Sequence, residues 1–228
     1  MPQKEYAILV AGGKGTRMKS HIPKQFILLN GKPILMHTLE VFASYSSELS
    51  IILVLPESDV ETWKNLCLEH NFNISHTLTI GGDSRFQSVR NGLSTIKESE
   101  GLVAIHDGVR PLVDKDTIAA SFRLAAIHQS AVAAVRLKES IRVTDQDTTK
   151  AVDRSAYRLI QTPQTFDLAI IKNAYNIKEV STLTDDASVA EMAGHKISLF
   201  EGSYENIKVT TPEDLIIAEA LLKRKNKG

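Results

Sequence analysis

The sequence predicts an α/β protein: a mainly parallel sheet with helices on both faces and a protruding β-arm. Three observations carry this prediction. Short apolar, β-branched runs alternate with helical stretches, several of those runs have no polar interruption, and one polar segment breaks the pattern. Alternation of this kind argues for parallel strands joined by helical crossovers. A strand covered on both faces should read as continuously apolar, and "AILVA", "IILVLP" and "AVAAV" do.

Taken in chain order, strands are expected at residues 6–11, 50–56, 75–80, 102–106 and 131–137. Amphipathic helices at 33–45, 59–70, 86–97 and 115–129 fill the intervals. Residues 138–158 are polar, rich in Thr and Asp and weakly alternating, and Asp145-Gln146 with its flanks reads as the tip of a two-stranded arm. Such a hairpin is marginal alone, so a partner subunit packed against it is expected. Helices follow at 168–178 and 186–193, then a strand at 196–200 and a closing helix at 212–223. That last helix opens with Thr211 as N-cap, Pro212 at the first position and Glu213 and Asp214 in the first turn. The expected organisation is one domain over residues 1–228, with 138–158 as an arm used in dimerisation.

At 228 residues the chain can bury a substantial core. Lys and Arg total 27, as do Asp and Glu, so no bulk field draws the protein to nucleic acid or an anionic membrane. Any anion must be held by locally arranged groups. Cys67 is the only cysteine, which excludes a disulfide framework and cysteine-rich zinc sites. The apolar run at residues 6–11 is too short for a signal-peptide core or a membrane span, and the expected location is the cytoplasm. The basic tail "KRKNKG" reads as a solvated, frayed terminus.

"ILVAGGKGTRMKSHIPKQF" follows the first strand directly. Glycines there let backbone N–H groups approach an anion closely. The loop is not a dinucleotide fingerprint, because Met18 stands where a third glycine is needed, and it lacks the Gly-Lys-Ser/Thr of a P-loop. Arg17 can fork onto phosphate oxygens and Lys24 adds a compact charge just after the stiff Pro23. Together they make a phosphate grip. In a parallel sheet ligands sit beyond the carboxyl ends of strands. That rule adds "IGGDSRFQSV", where Asp83 would cap a helix, and "IHDGVRP", where Asp107 stands beside the phosphate-binding cations. A lone carboxylate with phosphate oxygens suits Mg²⁺. His106 reads as a packed residue, since no serine or cysteine motif supports a triad.

A-G-G-x-G-x-R-M followed by P-K-Q resembles the sugar- and polyol-phosphate nucleotidyltransferases, and "PKQF" points to the cytidylyltransferases among them. "GGDSRFQSV", "HDGVRP", "AVDRSAYRLIQTPQTF", "TDDAS" and "NIKVTTPED" extend the resemblance, in order, from about residue 7 to 221. The set is similar to the methylerythritol phosphate cytidylyltransferases, with ribitol-5-phosphate cytidylyltransferases as the alternative. Departures are Ser140 for the family's polyol-contacting threonine, which keeps the hydroxyl, and Ala151 for another threonine.

The resemblance implies a Rossmann-like, three-layer nucleotidyltransferase fold, CTP as co-substrate, a divalent cation such as Mg²⁺, and a homodimer. It implies that Arg17, Lys24 and Lys208 are catalytic, and that Ala11, Gly12, Gly13, Gly15, Gly82, Asp83 and Ser88 bind CTP. Asp107, Arg110, Ser140, Arg154, Thr162 and Thr184 would locate the polyol phosphate, with Asp107 also facing the metal. Taken without it, Arg154 is a solvated arm residue, Thr184 an N-cap and Lys208 an ordinary strand lysine.

Overall fold

The structure, a computed structural model, describes residues 3–13, 18 and 22–225. Strand β1 (Glu5–Val10) shows how the apolar runs organise the whole. Successive side chains of a strand point to opposite faces. Tyr6, Ile8 and Val10 therefore join one core, while Ala7 and Leu9 join the other. On the first face lie α3 (Arg85–Thr95), α5 (Leu168–Ala174) and α6 (Asp186–Met192), contributing Phe86, Val89, Ile171 and Val189. The second face is covered by α1 (Ile34–Tyr45), α2 (Val60–Glu69) and α4 (Lys115–His128), through Leu39, Phe42, Trp63 and Phe122. Three layers result.

Around β1 stand β4 (Ser50–Leu55), β5 (Thr77–Ile80), β6 (Leu102–Asp107), β7 (Ser130–Arg136), β10 (Arg158–Asp167) and β11 (Leu199–Glu201). The sheet order is β11-β7-β10-β6-β1-β4-β5. Pairing is parallel except at β10, which runs antiparallel to both β6 and β7. The chain moves from β1 to β4 and β5 on one side, then returns to β6 on the other. The switch point lies between β1 and β6, where Val10 pairs with Asp107, and that crevice is where such sheets bind ligands.

Strand β10 was not anticipated, and the expected strand at 196–200 is shifted to residues 199–201. The reason is β10's polarity: Gln161, Thr162, Gln164 and Thr165 are all buried. Each is satisfied by a specific bond. Gln161 Nε2 donates to the Ser203 carbonyl at 2.8 Å, and Thr165 Oγ1 to Ser121 Oγ at 2.9 Å. Thr162 Oγ1 accepts from the Asp107 N–H at 3.1 Å, and Gln164 Oε1 from the Ala187 N–H at 2.8 Å. Pro163, which cannot donate to a ladder, falls where the register against β7 shifts between Ile160 and Gln164.

Two small hairpins complete the strands: β2 (Leu28–Leu29) with β3 (Lys32–Pro33), and β8 (Ile141–Asp145) with β9 (Thr148–Val152). The second lies within residues 138–158 and turns at Gln146 with φ +46°, and none of its residues is buried. The closing helix α7 (Pro212–Lys225) packs Ala218 with Leu29, Ile34 and Val109. Its start is as expected: Thr211 Oγ1 accepts from the Asp214 N–H at 3.3 Å, and Asp214 Oδ2 accepts from the Thr211 N–H at 2.9 Å.

Candidate active site

Two cavities open beside the carboxyl ends of β1 and β6. The larger, about 730 Å³, is lined by Ala11, Gly12, Gly13, Lys24, Gly82, Asp83 and Ser88, as well as Ser58 and Asp59. A smaller one, about 230 Å³, is lined by Arg110, Thr162, Gln164, Thr184 and Asp185. Arg85, Asp107 and Lys208 line both. The wall between the cavities is thus one carboxylate and two cations.

Lys24 is positioned by its neighbours. It opens a one-turn 3₁₀ helix with Gln25 and Phe26, both buried. Gln25 Nε2 donates to Asp59 Oδ2 at 2.6 Å, and the Phe26 ring stacks on Trp63 with centroids 6.2 Å apart. A methyl group added at Gly13 would lie 3.1 Å from Lys24 Cε and Nζ, so the end of the lysine side chain sits close against the loop. Gly15 and Arg17, the other expected phosphate-binding residues, lie outside the described residues.

The second glycine turn is tied to α3. Ser88 Oγ accepts from the Gly82 N–H at 3.1 Å and donates to the Ser84 carbonyl at 2.8 Å. Asp83 was expected to cap this helix, but the N-cap is Ser84, whose Oγ accepts from the Gln87 N–H at 3.1 Å. Asp83 is exposed at the cavity lip, its own N–H donating to Gln87 Oε1. Freed from the cap, its carboxylate is available to a ligand. Thr184 is corrected in the same way: Asp185 caps α6, in a capping box with Ser188, and leaves Thr184 lining the small cavity.

Asp107 ends β6 with only 7% of its surface exposed. Lys208 Nζ stands 3.0 Å and Arg110 Nε 3.3 Å from its Oδ2, and Arg85 Nε stands 3.6 Å from Oδ1. Burial pushes this carboxyl up, but Arg85, Lys208 and Arg110 outweigh it and hold it well below the usual range. Arg110 is oriented by the Asn206 carbonyl, which accepts from Nη1 at 2.8 Å, while Asn206 Nδ2 donates to the Thr162 carbonyl at 2.7 Å. Asn206 was not singled out in the sequence; its role is to knit the "NIK" segment to β10. Among the described residues no group of three or more His, Cys, Asp or Glu side chains could hold a metal. A divalent cation here would have one carboxylate, Asp107, and would draw its other ligands from phosphate and water.

His106 is fully buried, as expected. Its Nε2 stands 3.3 Å from the Arg110 carbonyl, its ring packs on Phe42, and burial lowers its pKa to about 3. Burial disfavours its charged form, and it lines neither cavity. Ser140 and Arg154 line neither cavity. Both are exposed at the hairpin, where Arg154 Nη1 donates to the Lys138 carbonyl. Arg85 belongs to the "GGDSRFQSV" segment, and its reach across both cavities is visible only in three dimensions.

This arrangement puts a glycine-lined, cation-rimmed cavity against a smaller polar one, and suits joining a phosphate to a nucleotide. A family model described as 2-C-methyl-D-erythritol 4-phosphate cytidylyltransferase matches residues 6–224. The chain is 47% identical over 219 residues to the enzyme of that name from Bacteroides thetaiotaomicron, covering 96% of this chain and 100% of the relative. Among solved structures, the Francisella tularensis 2-C-methyl-D-erythritol 4-phosphate cytidylyltransferase superposes with a TM-score of 0.80 at 32% identity, covering 95% of this chain and 99% of that one. The 4-diphosphocytidyl-2C-methyl-D-erythritol synthase of Anaerococcus prevotii gives a TM-score of 0.83 at 28% identity, covering 97% and 96%. With its sheet order, paired cavities and near-complete matches, this chain belongs to the 2-C-methyl-D-erythritol 4-phosphate cytidylyltransferase family.

Proposed function

We propose that the chain joins CTP to 2-C-methyl-D-erythritol 4-phosphate, giving 4-diphosphocytidyl-2-C-methyl-D-erythritol and pyrophosphate for isoprenoid biosynthesis. The observation that carries this reading is the shared wall: Asp107, Arg85 and Lys208 stand where two ligands in adjoining cavities would meet. CTP occupies the larger cavity, its base against Gly82, Asp83 and Ser88 and its phosphates against Ala11, Gly12, Gly13, Gly15, Arg17 and Lys24. The polyol phosphate takes the smaller one, beside Arg110, Thr162 and Thr184.

An oxygen of the acceptor phosphate bonds to the α-phosphorus of CTP as the bond to the bridging oxygen breaks, and pyrophosphate leaves with that electron pair. A phosphate monoester is already close to dianionic at neutral pH, so no general base is needed. The obstacle is repulsion between two polyanions, and positioning with charge neutralisation lowers it. Lys24 and Arg17 stabilise the crowded transition state, and Lys208 holds the α-phosphate. Asp107 would hold Mg²⁺ together with phosphate oxygens, and the bound metal would supply further positive charge to the triphosphate. Ser140 and Arg154 reach the acceptor of a neighbouring subunit through the 138–158 arm, which makes the working unit a homodimer. Among the described residues no helix is long and apolar enough to cross a membrane, and the proposed location is the cytoplasm.

Side-by-side turnover of methylerythritol phosphate and ribitol 5-phosphate with CTP, followed by pyrophosphate release, tests the reading. A preference for methylerythritol phosphate of at least about 100-fold in kcat/KM is expected, since an ill-fitting polyol leaves buried polar groups unpaired. Equal or better use of ribitol 5-phosphate would overturn it.

A further inference from the structure

Arg85 breaks a local rule. It is the first residue of α3, where the helix dipole disfavours a cation, yet its guanidinium is turned inward and its side chain is only 28% exposed. The compensation is Asp186, fully buried at the first position of α6, where the dipole favours an anion. The two meet as fork on fork: Nη1 to Oδ1 at 2.9 Å and Nη2 to Oδ2 at 2.7 Å. Tyr175 Oη donates to Asp186 Oδ1 at 2.6 Å, so the carboxylate cannot swing away. With both terminal nitrogens committed, Nε is the nitrogen left facing Asp107 Oδ1.

The connection continues beyond this pair. Asp185, beside Asp186, accepts from Gln164 Nε2 at 3.0 Å, and Thr184 precedes it on the wall of the small cavity. On the other side, α3 carries Ser88, which ties down the Gly82 turn of the large cavity. One guanidinium therefore joins the turn on one side, the Thr184–Asp186 segment on the other, and the carboxylate between them.

We propose that Arg85, clamped by Asp186, is a positioning residue that aims the Asp107 carboxylate and registers the nucleotide cavity against the acceptor cavity. The assignment of the two cavities to nucleotide and acceptor rests on the functional reading above; the aiming of Asp107 does not. A buried ion pair is not needed for stability, since apolar pairs of similar volume serve as well. An invading cation at a helix start is better explained by what its third nitrogen faces.

Arg85→Ala would strand the Asp186 carboxylate without a cation, so the test uses Arg85→Lys and Asp186→Asn, which keep the volume and part of the hydrogen bonding. With CTP and methylerythritol phosphate, each variant is expected to lose about 10- to 100-fold in kcat, because a small misplacement of a reacting group costs on that order. The dissociation constant of CTP, titrated without acceptor, should stay within about threefold. The double variant should lose no more than the worse single one, as partners in one unit do. Crystal structures of both variants supply a readout independent of turnover: Asp107 should have shifted from Lys208, which stands 3.0 Å away in the parent. An unmoved Asp107 in both variants overturns the proposal whatever the substrate proves to be, as does an unchanged kcat in an active enzyme. Parent enzyme inactive with both polyol phosphates would sink the functional reading alone.

Discussion

Strand β6 ends in a residue expected to serve the reaction and the β8–β9 hairpin is flanked by two others, Ser140 and Arg154, and the two regions are built in opposite ways. All six residues of β6 are buried, and the charge at its end is held by three cations, one in the turn that follows the strand and two from distant segments. The hairpin has no buried residue, and Arg154 beside it is exposed, with Nη1 donating to the Lys138 backbone carbonyl. A preorganised charge needs a rigid surround, because ordering a loose side chain during the reaction cancels part of what it contributes. The β6 end is ready for a ligand within one chain. The hairpin offers no such surround within the chain.

The largest effect that would sharpen this contrast lies on the rigid side. Lys24→Ala and Lys208→Ala should each lower kcat by about 100-fold or more, the loss typical of one preorganised charge contact. Near-normal kcat for either with CTP and Mg²⁺ would remove it from the catalytic set. The arm gives the next effect. Inactive Arg154→Ala and Lys24→Ala proteins, mixed and allowed to exchange subunits, should recover about a quarter of parental activity, as expected for random dimers with shared sites. No recovery after proven exchange would mean that the arm serves its own chain or none.

Stability should divide along the same line. Phe166→Ala, in the core at β10, is expected to cost about 3–5 kcal/mol in urea unfolding. Val143→Ala, on the half-exposed outside of the hairpin, should stay within about 0.5 kcal/mol. A comparable loss at both positions would show that the hairpin packs more tightly than its exposure indicates.

A further effect, well below the loss at Phe166, is at the start of α7. Asp214→Ala should cost about 1 kcal/mol, the value of a helix cap. Burial pushes the Asp214 carboxyl up, but hydrogen bonds from Thr210 and Thr211 outweigh it and lower its pKa below the ordinary carboxylate value. A lowered folded pKa means the contribution is complete above the unfolded value of about 3.9 and disappears as pH falls through the folded value. The penalty of Asp214→Ala should therefore shrink on acidification below about pH 4. A penalty independent of pH in that range would assign it to packing.

The legible parts of the sequence were those with a short-range signal. Continuous apolar runs marked β1, β4, β6 and β7, and Thr211-Pro212 marked the start of α7. Strand β10 escaped because its buried glutamines and threonines look like a loop until Ser203, Ser121 and Ala187 arrive to bond them. Two cap assignments were each one residue off: Asp83 and Thr184 had the right chemistry, but the backbone turned at Ser84 and Asp185 instead. In both places the displaced residue was left at a cavity wall.

The sequence alone determined the layered α/β plan, because local periodicity follows from backbone geometry. It also determined the family, since the motifs run in order along nearly the whole chain. Which charges meet was decided only by the tertiary structure. Arg85 and Asp186 are 101 residues apart, and Asp107 and Lys208 lie on different segments still. Their pairing follows from how the sheet crosses over and returns at the switch point, and no local pattern records that.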